Sequence, residues 1–189
     1  MPTTETKDGT HRILIGICGG VAAYKMGEVV STLVQAGHQV TVAMTRNAKR
    51  FVGPVTFRSL SGREVFINPW KHPESPESPH IAMARDADVM LVSPCTMDML
   101  SKLVAGRADD AVSLLAASID RSSCPVLLAP SMNATMLRQP ATQRNMATLA
   151  EDGFTILSPG EGWQACRTDG AGRMPEPSEL IASIESACS

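Results

Sequence analysis

A single thiol stands in a part of the sequence that is rich in glycine and proline. Residues 160–177 read GEGWQACRTDGAGRMPEP, with Cys166 near the centre. This composition excludes a helix or a central strand and predicts an irregular loop, which in a compact domain is a functional lid or a linker. Trp163 and Met174 are apolar groups that a linker does not need. We therefore predict a flexible substrate flap at about 159–177; the alternative for Cys166 is a buried structural cysteine, against which its polar neighbours argue.

Composition excludes several classes of function. The five cysteines, at positions 18, 95, 124, 166 and 188, are an odd number without close pairs, and the four histidines are scattered, so neither a disulfide framework nor a metal site is indicated. A net charge of -2 gives no reason to expect nucleic acid or an anionic membrane as a partner. The apolar runs are only strand length and no signal peptide is visible, so we expect a cytoplasmic protein.

Strands and helices alternate along the chain. Residues 1–10 are polar and predicted to be disordered, and residues 11–189 are predicted to form one domain. The apolar patterns predict strands at 12–17, 39–44, 89–92, 125–128 and 155–157, and helices at 80–87, 109–119, 141–151 and 177–187. This order predicts an α/β fold: a doubly wound, Rossmann-like or flavodoxin-like, mostly parallel sheet with helices on both faces.

Two strand ends at the start of the domain indicate a mononucleotide site. Gly19 and Gly20 follow the first strand and open a helix, where backbone N–H groups bind phosphate well, although glycine-rich turns also occur for steric reasons. A dinucleotide fold carries an acidic residue at the end of its second strand to bind ribose. Here Thr45-Arg46-Asn47 stands there, which suits a phosphate and favours FMN over NAD, while Thr45 could also cap a short helix.

Further polar residues follow the next strands. Residues 93–98 and 129–136 come after buried strands, and ligands of open α/β sheets bind at the carboxyl ends of the strands. His80 begins a predicted helix after the proline-rich residues 68–79. It is either a solvated surface histidine or a general base, because the pKa of an unperturbed imidazole lies near neutrality.

Taken together, these segments resemble the flavin-containing cysteine decarboxylases from residue 13 to residue 177. The resemblance is carried by the turn GGVAAYK at 19–25, His80-Ile81 before Ala87-Asp88, Pro94 to Asp98 with Lys102, Pro130 with Met132-Asn133, and Ala165-Cys166 before Gly170. Each motif is weak by itself, but their order and spacing are specific.

The resemblance implies a cofactor and a role for each matching residue. FMN would contact Gly19, Gly20, Val21, Thr45, Phe51, Thr96, Met97, Asp98, Met99 and Ser131. The substrate would contact Lys25, Asn133, Met136 and Ala165, with His80 as the base and Cys166 as the proton donor. Relatives form homotrimers or dodecamers built from trimers, so the resemblance implies that His80 serves a neighbour's flavin. A fused ligase domain is common in bacterial relatives, and we expect any ligase here to be a separate protein.

The activity implied is that of the family branch that decarboxylates 4'-phosphopantothenoylcysteine to 4'-phosphopantetheine for coenzyme A. Members acting on peptidyl-cysteine stop at the enethiol and do not need the flap thiol, so Cys166 favours the first branch. Met97-Asp98-Met99 departs from the usual Ala-Asn-Thr, Leu137 replaces a tryptophan, and Gly20 replaces a serine. These departures keep two alternatives open: a decarboxylase of peptidyl-cysteine or another thiol acid, and a flavin-binding or regulatory oligomer without turnover.

Overall fold

A five-stranded parallel sheet forms the centre of the molecule. The computed structural model describes residues 9–70 and 78–189. The strands are β1 (Arg12–Ile17), β2 (Gln39–Met44), β3 (Val89–Cys95), β4 (Val126–Pro130) and β5 (Thr155–Ile156). Their order is β2-β1-β3-β4-β5, with every pairing parallel. The doubly wound α/β fold predicted from the sequence is therefore confirmed.

Helices cover both faces of this sheet. They are α1 (Met26–Gln35), α2 (Pro54–Ser61), α3 (Pro79–Asp86), α4 (Met97–Val104), α5 (Ala111–Ser118), α6 (Ala134–Leu137), α7 (Pro140–Glu151) and α8 (Pro177–Ala187). One apolar core joins β1 and β2 to α1 and α8 through residues such as Ile15, Leu33 and Leu180. A second core joins β3 and β4 to α4, α5 and α7, for example through Met90 and Leu115. Two separate cores explain why the strand sequences are apolar without alternation.

The third strand continues further than predicted. Its end was expected at Val92, because proline is normally excluded from the interior of a sheet. β3 instead runs to Cys95, with a register shift between the Val92–Leu128 and Cys95–Pro130 pairs. Two residues of β3 there face one of β4, which is a β-bulge. The bulge accommodates Pro94 and brings the end of β3 beside the end of β4.

The glycine-rich segment forms a hairpin, so the prediction of an irregular loop is wrong, while its role as a flexible substrate flap stays a prediction. Strands β6 (Gly160–Trp163) and β7 (Asp169–Arg173) pair in an antiparallel two-stranded sheet, separate from the central one. Gly162 and Gly172 have φ angles of 125° and 116°, which side-chain-bearing residues rarely adopt. The helix predicted after it is confirmed as α8, which begins at Pro177 with a Glu176–Glu179 capping box.

Two other expectations fall on residues outside the described part of the chain. The predicted N-terminal disorder concerns residues 1–10, of which 1–8 lie outside it, and the proline-rich connection at 68–79 includes the undescribed 71–77. In the described ranges 9–70 and 78–189, no helix is long and apolar enough to cross a membrane.

Candidate active site

The carboxyl ends of β1 to β4 and the hairpin enclose one large cavity. Its volume is about 760 Å³. Most of the residues that the sequence assigns to a cofactor or substrate line its wall: Gly19, Gly20, Val21, Lys25, Thr45, Thr96, Met97, Asp98, Ser131, Asn133, Met136, Ala165 and Cys166. The sheet topology thus brings together segments that are separated by more than a hundred positions in the sequence.

The first wall of the cavity is built for an anion. The backbone N–H groups of Gly19, Val21 and Ala22 have no acceptor within the described ranges. A Cβ on Gly19 would stand 2.6 Å from the Cβ of Asn47, so only glycine lets this turn approach the end of β2 so closely. The Thr45 hydroxyl accepts a hydrogen bond from the Ala48 N–H at 3.2 Å, as expected for a cap, and still faces the cavity. Free amides, a hydroxyl and the Arg46 guanidinium suit the phosphate of a mononucleotide.

In the segment after β3, residues 96–99 are predicted to contact the cofactor, and three of the four line the cavity. Thr96 caps α4, where its hydroxyl accepts a hydrogen bond from the Met99 N–H at 3.3 Å. Met97 and Asp98 line the cavity beside it. Met99 does not: its side chain is buried in the core beneath α4. The helical turn directs this side chain inward, and the assignment of Met99 as a cofactor contact stays a prediction.

A cluster of charged side chains from α4 and the segment that follows it also lines the cavity. Lys102 Nζ lies 2.8 Å from Asp110, 3.0 Å from Asp109 and 3.6 Å from Asp98. Burial lowers the pKa of Lys102, but hydrogen bonds to Asp110 and Asp109 and the charges of Asp110 and Asp98 outweigh burial, so the pKa is raised above its usual value. The hydrogen bond from Lys102 lowers the pKa of Asp109. The negative charge of Asp98 is therefore partly compensated by a lysine that remains protonated.

Replacing Lys102 with methionine is expected to lower the free energy of unfolding at neutral pH by about 1–3 kcal/mol, between the effects of exposed and buried ion pairs. The side chains of Lys102 and Asp110 are only 17% and 16% exposed, so Asp110 would lose its partner in a poorly hydrated place. The pKa of Lys102 is higher in the folded protein than in the unfolded chain. The contribution of Lys102 to folding stability is therefore complete at pH values below its unfolded-state pKa, and it is lost as the pH rises through its folded-state pKa.

Urea titration measures this effect, with Arg107→Met as the matched control. Arg107 also pairs with Asp109, at 2.6 Å, but both side chains are well exposed. We expect a change of at most about 1 kcal/mol for the control. Equal stability of the Lys102→Met and Arg107→Met variants would contradict the structural role of Lys102.

The hairpin closes the cavity and carries the thiol. Cys166 lies in its turn and is the exposed cysteine of the five, so it is not a buried structural residue. Its Sγ lies 3.0 Å from Thr168 Oγ1 and 3.5 Å from Gln164 Oε1. By contrast, burial raises the pKa of Cys18 to about 12 and that of Cys95 well above its usual value. Cys18 lines the cavity as a neutral thiol, which leaves Cys166 as its accessible one.

Lys25 lines the cavity but is already paired. Its Nζ lies 2.7 Å from Glu176 Oε2, while Arg173 lies 2.8 Å from the other oxygen of the same carboxylate. The hydrogen bond from Lys25 lowers the pKa of Glu176. An anionic group of a substrate that approaches Lys25 would therefore share it with Glu176. This bridge also joins the end of β7 to the first turn of the domain.

Two predicted residues do not reach the cavity within one chain. His80 lies at the start of α3, and Phe51 is half exposed beyond the end of β2; neither is part of the cavity wall. The Nδ1 atom of His80 is buried and has no hydrogen-bond partner among the described residues. A contact of either residue with a ligand in this cavity therefore stays a prediction.

Several residues of the hairpin and of the loop after β4 line the cavity, although sequence analysis assigned them no contact with cofactor or substrate. Gln164, Arg173 and Met132 are the clearest cases. No local sequence pattern distinguishes Gln164 from the other polar residues of a loop. In the part of the chain that the structure describes, no group of His, Cys, Asp or Glu residues could hold a metal ion.

Comparison with known proteins agrees with this geometry. The family model described as Flavoprotein matches residues 1–189. The coenzyme A biosynthesis bifunctional protein CoaBC of Mycobacterium tuberculosis is 42% identical over 169 residues, which are 89% of this chain and 39% of that protein. The chain thus spans about two fifths of the length of this curated relative.

Solved structures share the whole fold. The FMN-dependent cysteine decarboxylase SpaF superposes with a TM-score of 0.79 at 28% identity, over 95% of this chain and 98% of that one. A PPC decarboxylase mutant complexed with pantothenoylaminoethenethiol superposes with a TM-score of 0.84 at 25% identity, over 94% and 97% of the two chains.

Proposed function

Because the chain belongs to the Flavoprotein family, we propose that it is an FMN-dependent decarboxylase that converts 4'-phosphopantothenoylcysteine to 4'-phosphopantetheine in coenzyme A synthesis. The similarity to a coenzyme A biosynthesis protein and to a PPC decarboxylase supports this substrate. The observation that carries the proposal is the position of Cys166, an exposed thiol on the wall of a cavity that also presents an anion site and Asn133.

The residues present fit FMN. The free amides of Gly19, Val21 and Ala22 with the Thr45 hydroxyl would hold its phosphate, and Thr96, Met97 and Ser131 would contact the rest of the cofactor. When bound, FMN supplies a two-electron acceptor that takes electrons from the cysteinyl CH2–SH group and later returns them. No acidic residue stands at the end of β2, as expected for a site without a second ribose to bind.

The side chains then have separable tasks. His80 would take the proton of the substrate thiol, and Asn133, Met136 and Ala165 would orient the cysteinyl group. Once the carbon bearing sulfur is oxidised to C=S, the carboxylate lies β to it, so the electron pair of the breaking C–C bond moves onto sulfur as CO2 leaves. Cys166 would give its proton to carbon as the resulting enethiolate is reduced, forming a C–H bond and leaving a thiolate. The enethiol in the complex of the PPC decarboxylase mutant is the species that such a sequence passes through.

The assembly we propose is a homotrimer, which can associate further into a dodecamer. His80 does not reach the cavity of its own chain, and Val21 and Tyr24 line that cavity while they are more than half exposed. Apolar side chains at the mouth of a ligand cavity are typical of a surface that another chain covers. In this arrangement His80 would take the thiol proton of a substrate bound beside the FMN of a neighbouring chain. The expected location remains the cytoplasm.

Replacing Asp98 with asparagine is expected to lower KM for the substrate about fivefold. The substrate carries a phosphate and a carboxylate, and one charge at short range in a hydrated cavity contributes about 1 kcal/mol. Asp109→Asn is the matched control, because it also removes a carboxylate from Lys102 but does not line the cavity. Steady-state kinetics measure both variants, and an Asp98→Asn enzyme with a raised KM would contradict a repulsive role for this carboxylate.

The experiment that tests the proposed function is mass spectrometry of the product from FMN-loaded protein and 4'-phosphopantothenoylcysteine. Loss of CO2 alone is the expected result. Loss of CO2 with two hydrogens would indicate an oxidative decarboxylase of the peptidyl-cysteine type. Unchanged substrate on protein that holds FMN would refute the enzymatic proposal and favour a flavin-binding oligomer.

A further inference from the structure

The side chain of Gln164 is buried although it lies in the exposed turn of the hairpin. Only 7% of the residue is exposed, while Cys166 and Arg167 beside it are accessible. A buried amide is costly unless both its donor and acceptor groups are satisfied. Gln164 is therefore held in one place by specific contacts, which can be traced atom by atom.

The two ends of the Gln164 amide contact different parts of the site. Oε1 accepts from the Ala134 N–H at 3.3 Å and from the Cys166 thiol at 3.5 Å. Nε2 donates to the carbonyl of Ala171 at 2.8 Å and faces that of Met132 at 3.5 Å. Only one orientation of the amide meets an N–H donor on one side and carbonyl acceptors on the other.

These contacts join the thiol to the loop that carries Asn133. Ala134 and Met132 flank Asn133, and the Met132 N–H also donates to the Gly172 carbonyl at 2.9 Å. Asn133 caps α6 through the Met136 N–H at 2.8 Å, so its backbone position is fixed. One amide thus links the turn with the proton donor, the return strand β7 and the loop expected to orient the substrate.

We propose that Gln164 is a positioning residue for Cys166, on the basis of the proposed function. Its Oε1 atom accepts the S–H and also the Ala134 N–H, and so fixes the position of the sulfur relative to the loop that carries Asn133. For the transfer, the S–H turns from Oε1 towards the substrate carbon; the S–H bond then breaks as the C–H bond forms, and the hydrogen bond to Oε1 is lost. The Thr168 hydroxyl, 3.0 Å from Sγ, is then able to donate to the thiolate until solvent returns a proton. Gln164 itself touches neither substrate nor cofactor in this role.

A positioning role differs measurably from a role in folding alone. In Gln164→Met protein loaded with FMN, we expect the share of oxidised enethiol among the products to rise at least tenfold, while CO2 release falls less than the reduced product does. A residue that merely stabilises the hairpin would lower both products in parallel. Gln143→Met is the matched control, since Gln143 also donates to a backbone carbonyl, that of Leu137 at 2.7 Å, away from Cys166.

Hydrogen exchange provides a readout that needs no substrate. The Ala134 amide and residues 160–173 are expected to exchange about tenfold faster in Gln164→Met than in wild type, the effect of losing one or two hydrogen bonds. Gln143→Met should leave them unchanged. An unchanged product ratio, or unchanged exchange at Ala134, would overturn the inference. Wild-type protein that releases no CO2 would refute the proposed function alone, and the exchange comparison would still decide whether Gln164 holds the hairpin.

Discussion

Cys166→Ser protein is expected to release CO2 but to accumulate the oxidised enethiol, with formation of the reduced product lowered about 100-fold or more. A positioned general acid typically contributes factors of this size, and a serine hydroxyl is a much weaker acid than a thiol. Decarboxylation precedes the step that needs this proton, so the rate of CO2 release should change far less. Mass spectrometry of the products measures the ratio directly.

The control for this substitution is Cys188→Ser. Cys188 follows α8 and does not line the cavity, so the same change of sulfur to oxygen should leave the product ratio as in wild type. A Cys166→Ser enzyme that still makes mainly the reduced product would remove Cys166 from the mechanism. A loss of CO2 release equal to the loss of reduced product would place Cys166 earlier in the reaction.

Gly172→Ala is expected to separate the hairpin from the loop after β4 and to lower kcat at least tenfold. A Cβ at this position would overlap the Met132 carbonyl oxygen, and the φ angle of 116° is strained for any L-residue. Strain of about 1–3 kcal/mol, together with this clash, is sufficient to open a two-stranded sheet that lies outside the central sheet. Steady-state kinetics and hydrogen exchange at residues 160–173 measure the two effects.

Gly160→Ala is the matched control in the same hairpin. Gly160 lacks a positive φ angle, and a Cβ there would meet only ordinary contacts, the nearest being Arg173 Cβ at 3.8 Å. Activity and exchange should therefore remain near those of wild type. If Gly172→Ala retained full activity, docking of β7 against Met132 would not be required for turnover.

Elements defined by a continuous local pattern could be predicted from the sequence. The bounds of β1, β2 and α8 agree with the structure, because two apolar runs and one proline-started helix mark them clearly. The end of β3 was predicted too early, because Pro94 is tolerated only through a bulge that depends on the neighbouring strand. A pairing partner that lies far away in sequence cannot be read from residues 89–95 alone.

The hairpin is a stronger example of structure that depends on partners far away in the sequence. Its glycines suggest an irregular loop, yet two of them allow close approach and unusual φ angles within paired strands. Gln164 could not be identified, because its partners at 132–134 are some thirty positions away. For the site, the resemblance placed Thr45, Asn133 and Cys166 at one cavity, but Met99 points into the core, and His80 and Phe51 lie outside the cavity of their own chain.

The ends of β1 to β4 and the hairpin are proposed here to hold one FMN per chain. The most direct test is to purify the protein, record its visible absorption spectrum and identify the released cofactor by mass. We expect a yellow protein that releases one FMN per chain, or a colourless one that takes up the same amount when FMN is added. A correctly folded protein that remains colourless in the presence of excess FMN would contradict this account.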